Sequence, residues 1–382
     1  MINYGKHSIN QNDIAAVVDV LENQFLTQGQ QGPLFEKALC HYTGAAHCTL
    51  VNSATSGLHV ACMAIELGKG DILWTVPNSF AASANCARYC GAEVDFVDID
   101  STTRNISVVQ LDNKLLQAQQ NNALPKALVV VHFAGISCDM QAIRALCAPL
   151  KIAIIEDAAH SLGSQYLDKN VGNCQFSDIA VLSFHPVKSI TTAEGGAIMT
   201  NNEKLAKKCQ LYSKHGITRD TELMQGASEG PWYYQQLCLG YNYRLSDIHS
   251  ALGLSQLSRV DEFIHKRRVI AAKYFDRLQN LPLKLPQIDN IDSASWHLYM
   301  VELTQHNRAE VYEALHANGI GVNVHYIPIH LHPYYQELGF EAGQFPVSEN
   351  FYNHALTLPI YYDLSEDEQD RVISVLHDIL AE

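Results

Sequence analysis

The chain has 382 residues, 47% hydrophobic and 17% charged, enough to bury a large core and, by length, to build two or three compact units. A formal net charge of -14 argues against a nucleic-acid-binding face, which needs clustered basic residues to release counterions, but not against a phosphorylated small ligand, which backbone N–H groups can bind. Met1-Ile2-Asn3-Tyr4-Gly5-Lys6 lacks the basic-then-apolar pattern of a secretory signal, no apolar run is long enough to span a bilayer, and the ten cysteines contain no C-x-x-C pair; the expectation is a cytoplasmic protein with reduced, buried thiols and no membrane or nucleic-acid partner.

In chain order, residues 9–24 read as an amphipathic helix with Ile14, Val17, Val18 and Leu21 on one face. Leu26-Thr27-Gln28-Gly29 breaks it, and a helix follows near Pro33 to Tyr42. Cys48 to Val51 is a short strand running through Asn52–Gly57 into a helix with Leu58, Ala61, Cys62 and Ile65 at helical spacing. Short apolar strands then recur at Asp71–Val76, Glu93–Val97, Ala127–Phe133, Ile152–Glu156, Ile179–Phe184 and Gly196–Thr200, separated by helical or turn segments. This alternation predicts an α/β fold around a mostly parallel sheet covered on both faces, with ligands outside the carboxyl ends of the strands. A long helical stretch begins at Ser246, with Asp247 in its first turn, and Pro282 and Pro286 end it. The remainder mixes strands (Trp296–Leu303, Gly321–Tyr326) with helices (Arg308–Asn318, Glu366–Leu380). The expected division is a large α/β unit over 1–250 and a smaller α+β unit over 251–382.

Three segments carry chemistry. In Ser183-Phe184-His185-Pro186-Val187-Lys188 a strand ends and a loop presents a lysine before Gly195-Gly196 opens the next strand. A lysine beside a low-dielectric cleft has a depressed pKa and can form a Schiff base; the spacing alone favours a solvated loop lysine. In Ile154-Ile155-Glu156-Asp157-Ala158-Ala159-His160 an acidic pair closes an apolar strand, where a carboxylate can hold a proton on a heterocyclic nitrogen or simply cap a helix. The small residues of Asn52–Gly57 suit a phosphate at a helix start, or an ordinary N-cap.

Together these segments resemble the DegT/DnrJ/EryC1/StrS family of sugar aminotransferases. The resemblance extends through Leu26-Thr27-Gln28-Gly29, Pro77-Asn78-Ser79-Phe80, Gly240-Tyr241-Asn242-Tyr243-Arg244 and Val324-His325-Tyr326-Ile327-Pro328 and covers nearly the whole chain. It implies the fold-type I architecture of enzymes dependent on pyridoxal 5'-phosphate (PLP), and a role for each residue. Lys188 would carry the cofactor and Asp157 would pair with its ring nitrogen; these two are the expected catalytic residues. Phe80 would stack on the ring, with a core phenylalanine as the alternative. Ala54, Thr55 and Ser183 would bind the phosphate, His160 would join the cofactor site, and Asn242 would reach it from the other subunit of a homodimer. Tyr4, Gln24, Phe25, Leu26, Thr27, His185, His325, Tyr326, Ile327 and Pro328 would form the substrate site.

Within the family, Lys188-Ser189-Ile190-Thr191-Thr192-Ala193-Glu194, the insert Pro231-Trp232-Tyr233-Tyr234-Gln235-Gln236 and His325-Tyr326-Ile327-Pro328 match one branch. That branch moves the amino group of L-glutamate, released as 2-oxoglutarate, to C4 of a UDP-linked 2-acetamido-2,6-dideoxy-4-keto-hexose in pseudaminic acid biosynthesis. Another nucleotide-linked 4-keto or 3-keto sugar is an alternative, as is a non-catalytic PLP- or nucleotide-sugar-binding regulator, against which Lys188 and Asp157 in one chain speak. His325, His330 and His332 are close enough to suggest a metal, but H-x4-H-x-H fits no zinc motif and Pro328 and Pro333 interrupt it; no metal is expected.

Overall fold

In the computed structural model, which describes residues 1–381, seven strands form one sheet. Their spatial order is His47–Val51, Gly196–Thr200, Ile179–Ser183, Ala153–Asp157, Ala127–Val131, Ile72–Thr75 and Glu93–Phe96. Neighbours run parallel except at Gly196–Thr200, which is antiparallel to both of its partners. Every residue of Ala127–Val131 and of Ile179–Ser183 is buried, as strands covered by helices on both faces must be. Register places Gly196 opposite both Val51 and Ser183, so the one reversed strand begins where its neighbours end. A Cβ on Gly196 would lie 2.8 Å from the Ala54 nitrogen and from the Leu182 carbonyl oxygen, so only glycine lets this strand lie against the start of the helix Ala54–Ala64.

A second core surrounds a three-stranded antiparallel sheet of Leu283–Lys284, Tyr299–Leu303 and Ala355–Leu358. Ile2 joins it, hydrogen-bonded through its N–H to Gly319. The helix Val260–Leu278 links the cores: Val260, Phe263 and Ile264 pack toward the large sheet, and Ile270, Ala271, Tyr274 and Leu278 into the second core. Among the described residues no helix is long and apolar enough to cross a membrane, and all ten cysteines are unbridged.

Three expectations are corrected. Gly321–Tyr326 is not a strand. It makes one bridge, Asn323 to Thr357, after which the Asn323 side chain accepts the Val324 N–H and removes the donor that a ladder would need. The first helix, Gln11–Asn23, does not bury its apolar face: Ile14, Val18 and Leu21 are exposed, whereas Asp13 is fully buried. Asp13 pairs with Arg259 at 2.6 Å and accepts from Ser255 and Gln256; a buried carboxylate must be paired, and that requirement sets the rotation of the helix. Finally, the long helical stretch from Ser246 is two helices, Asp247–Leu257 and Val260–Leu278, parted at Ser258-Arg259, where Arg259 turns to Asp13.

Candidate active site

A cavity of about 300 Å³ opens at the carboxyl ends of the parallel strands. Strand ends contribute Asp157 and Ser183 to its wall, the helix starting at Ala54 contributes Ala54 and Thr55, and the loop after Ser183 contributes His185 and Lys188. That loop is folded back on itself, with the Thr192 N–H and the Thr191 hydroxyl both donating to the Phe184 carbonyl. Tyr4, Phe80, His160, His325 and Tyr326 complete the expected residues that line it.

At one end, the Ser53 hydroxyl accepts the Ser56 N–H at 3.1 Å and caps the helix. The first-turn N–H groups of Ala54 and Thr55 have no intrahelical carbonyl to bond, and the helix dipole makes this end favourable for an anion. On the far wall Asp157 is buried with both oxygens engaged: Oδ2 accepts from the Ser83 hydroxyl at 2.6 Å and Oδ1 from the Ala159 N–H at 3.2 Å. Ser83 is itself held by Ser79 at 2.7 Å. The carboxylate orientation is therefore fixed before any ligand arrives.

Lys188 is half-buried. Burial of its amine pushes the pKa down to about 8; the Asp157 charge opposes that shift and the Arg267 charge adds to it. Its Nζ lies 3.4 Å from His297 Nε2. His160 Nδ1 accepts the Ala134 N–H, so its Nε2 carries the proton and donates to the Tyr326 hydroxyl at 3.1 Å. Burial, then the Lys188 charge, holds both His160 and His325 below the ordinary histidine range, His325 at about 3. These two imidazoles are neutral, and the cavity offers a buried carboxylate at Asp157, with Glu194 exposed on the loop side, one readily deprotonated amine and an anion-binding helix start. This donor set fits pyridoxal phosphate: a phosphate at Ala54 and Thr55, a basic ring nitrogen at Asp157 and a carbonyl within reach of a lysine. Phe80 is 61% exposed at the cavity edge, so it is not a core phenylalanine.

Seven expected residues do not line the cavity of their own chain. Gln24, Phe25, Leu26 and Thr27 sit in a turn pinned to Asp247, which donates its N–H to Leu26 and accepts from Gly29 and Gln31. Ile327 is exposed and Pro328 is buried beyond the cavity wall, and Asn242 is exposed. The three C-terminal histidines do not converge: His325 bonds Thr357, His330 bonds Glu349, and His332 precedes a short helix. Among the described residues no group of three metal-ligand side chains forms. Two cavity neighbours escaped the sequence reading, Ser83 and His297. Ser83 stands one helical turn beyond Ser79, a visible spacing; His297 is a lone polar residue in an apolar run and carries no local signal.

The DegT/DnrJ/EryC1/StrS aminotransferase family model matches residues 7–377. The chain is 37% identical to the UDP-4-amino-4,6-dideoxy-N-acetyl-beta-L-altrosamine transaminase of Campylobacter jejuni, over 100% of this chain and 98% of that protein. It is 36% identical to the spore coat polysaccharide biosynthesis protein SpsC of Bacillus subtilis, over 99% and 96%. Among solved structures it is similar to Helicobacter pylori PseC, an aminotransferase involved in the biosynthesis of pseudoaminic acid, with TM-score 0.91 and 31% identity over 100% of this chain and 99% of that one. The PLP form of the putative sugar aminotransferase Spr1654 of Streptococcus pneumoniae gives TM-score 0.89 and 27% identity over 100% and 98%.

Proposed function

We propose a mechanism and a substrate from one premise: the chain belongs to the DegT/DnrJ/EryC1/StrS family, and it is a sugar aminotransferase that uses pyridoxal phosphate. Its architecture is that of the fold-type I PLP-dependent aminotransferases. The reaction proposed is transfer of the amino group of L-glutamate, leaving as 2-oxoglutarate, to C4 of UDP-2-acetamido-2,6-dideoxy-β-L-arabino-hex-4-ulose, in the cytoplasm, as a step of pseudaminic acid biosynthesis. The observation that carries the chemistry is the enclosure of Lys188 and Asp157 in one cavity with the start of the helix at Ala54. Likeness to the Campylobacter transaminase supports the sugar.

Bound pyridoxal phosphate supplies the electron sink. Ala54, Thr55 and Ser183 would hold its phosphate, and Phe80, at the cavity edge, would stack on its ring. Asp157, oriented by Ser83 and the Ala159 N–H, keeps the ring nitrogen protonated by charge pairing. Lys188 holds the cofactor. Once displaced, its Nζ moves a proton off the donor carbon in the first half-reaction and onto sugar C4 in the second, the hydrogen and electron pair being carried between the two on the cofactor. The order is ping-pong, since the oxo acid leaves before the sugar enters. Tyr4, His185, His325 and Tyr326 bound the side from which donor and sugar approach.

Substrate choice is testable directly. Purified enzyme with L-glutamate should aminate the L-arabino UDP-4-keto sugar in preference to its D-xylo epimer, with products read by mass spectrometry and NMR. Preference for the D-xylo epimer, or for a dTDP sugar, would assign the chain to a sister activity.

The assembly proposed is a two-fold homodimer with shared sites, in which Asn242 of one chain completes the cavity holding Lys188 of the other. Two observations support it. Asn242 is exposed and outside its own cavity, and Ile14, Val18, Leu21, Phe25 and Leu26 are exposed in the first helix and the turn after it, an apolar surface that an isologous contact would cover. Lys188→Ala and Asn242→Ala chains should each be nearly inactive alone. Co-expressed, they should recover about one working site per mixed dimer, because one site then carries both defects and the other neither. Proven mixed dimers without recovered activity, or a monomer in solution, would overturn the shared site.

A further inference from the structure

His297 is 4% exposed and lies just before the strand Tyr299–Leu303, held there by hydrogen bonds from Arg267 to the Trp296 and His297 carbonyls. Its Nε2 is 3.4 Å from Lys188 Nζ, and its Nδ1 is buried without a partner. The other imidazoles around Lys188 are committed elsewhere: His160 bonds Ala134 and Tyr326, and His325 bonds Thr357. Among the described residues, His297 alone presents a ring nitrogen within hydrogen-bond distance of the Lys188 amine.

The charges facing the pair decide which way the hydrogen bond runs. His297 faces Lys188, His160, Arg267 and His325, and its ring lies 4.3 Å from that of His160. All are cationic or able to become so; Asp157 acts from the Lys188 side. Burial first, then these neighbours, hold His297 well below the ordinary histidine range, so its imidazole stays neutral while the lysine titrates. A neutral imidazole is acceptor at one nitrogen and donor at the other. With Nε2 toward an ammonium, Nε2 must be the acceptor and the proton must sit on Nδ1, where the structure provides no partner. A buried polar nitrogen left unpaired costs stability, and the arrangement persists because Nε2 faces the one group here that needs an acceptor.

We propose that His297 is the positioning residue for detached Lys188, its Nε2 accepting a hydrogen bond from the ammonium that forms each time the lysine takes up a proton. This rests on the reading of Lys188 as the cofactor lysine. The proton balance closes within each half-reaction: neutral Nζ gains a proton from the carbon that loses one, the resulting ammonium donates a hydrogen bond to Nε2, and one of its protons then leaves Nζ for the carbon that gains one. His297 neither gains nor loses one. Without the acceptor, the ammonium is left beside Arg267 with His160 and His325 engaged elsewhere, and proton uptake becomes harder while attachment of the cofactor by the neutral amine does not.

The test compares His297→Phe, which keeps a ring and removes the acceptor, with His297→Gln, which restores one. Full-length protein stripped of cofactor is mixed with pyridoxal phosphate across pH, reduced with borohydride and mapped. A label on a residue other than Lys188 refutes the underlying reading and the proposal with it. With the label on Lys188, the midpoint of attachment reports the pKa of its amine. A hydrogen bond to the charged form raises that pKa, so His297→Phe should move the midpoint down by about one pH unit or more, the size expected for one charged hydrogen bond. His297→Gln should stay within a few tenths of a unit. In the holoenzyme, exchange of the glutamate α-hydrogen with solvent should slow about tenfold or more in His297→Phe and recover in His297→Gln. An unchanged midpoint in a folded His297→Phe variant overturns the proposal. If that variant does not fold, the wild type still decides: ¹⁵N NMR of histidine-labelled full chain, with His297 assigned by its loss in His297→Gln, should show a protonated Nδ1 and a bare Nε2. The opposite tautomer overturns the proposal equally.

Discussion

Borohydride reduction of the yellow holoenzyme should fix the cofactor to Lys188, and Lys188→Ala should abolish both the covalent link and turnover. A positioned proton-transfer group contributes roughly 10²–10⁴-fold. Lys188 is assigned the attachment as well, so the rate should fall by about 10⁴-fold or more. The pH dependence has a definite sign. Only the neutral amine attacks a carbonyl, and burial lowers the Lys188 pKa to about 8. Attachment of pyridoxal phosphate to stripped protein should therefore rise with pH through about 8, well before an ordinary lysine would react. A midpoint near the ordinary lysine value, or peptide mapping that finds another lysine, would remove Lys188 from the reaction.

The second large effect is expected at Asp157. Asp157→Asn keeps the shape of the side chain and lets the amide accept from Ser83 through its oxygen, so the fold should survive. It removes the charge that keeps the ring nitrogen protonated. Electrostatic groups aimed at developing charge are worth about 3–4 kcal/mol each in other enzymes, which translates to roughly 10²–10³-fold in turnover. The variant should still bind cofactor, seen by its absorbance, while both half-reactions slow together, because both pass through the same charge build-up. Near-normal turnover would show that Asp157 only caps the segment after its strand, through its bond to the Ala159 N–H.

Much of the architecture was legible because burial on both faces leaves a simple trace. Runs such as Ala127-Leu128-Val129-Val130-Val131 and Ile179-Ala180-Val181-Leu182 have no polar alternation, and each is a central strand in the structure. The ends of two such runs could be read to within one residue, at Glu156 and Phe184, where the strands end at Asp157 and Ser183. Failures occurred where a side chain answers to a distant partner. The first helix has a clear apolar face at Ile14, Val18 and Leu21, yet its rotation follows the ion pair of Asp13 with Arg259, 246 positions away. Gly321–Tyr326 has strand-like composition, but the Asn323 side chain takes the donor that would extend the ladder.

The sequence by itself determined the α/β class, the chain order of the sheet elements, and the presence of a loop lysine and a strand-end aspartate in a family that uses them together. These properties are local or are carried by ordered motifs, and hydrophobic period, turn residues and motif wording record them directly. Tertiary structure alone decided the spatial order of the strands, the reversal of Gly196–Thr200, and the company that Lys188 and Asp157 keep. Ser83 reaches Asp157 across 74 positions, and His297 reaches Lys188 across 109. A serine in a helix and a histidine just ahead of an apolar strand carry no sign of the partner each one meets. Their roles arise from which strand lies beside which, and that is set by the packing of whole elements against one another.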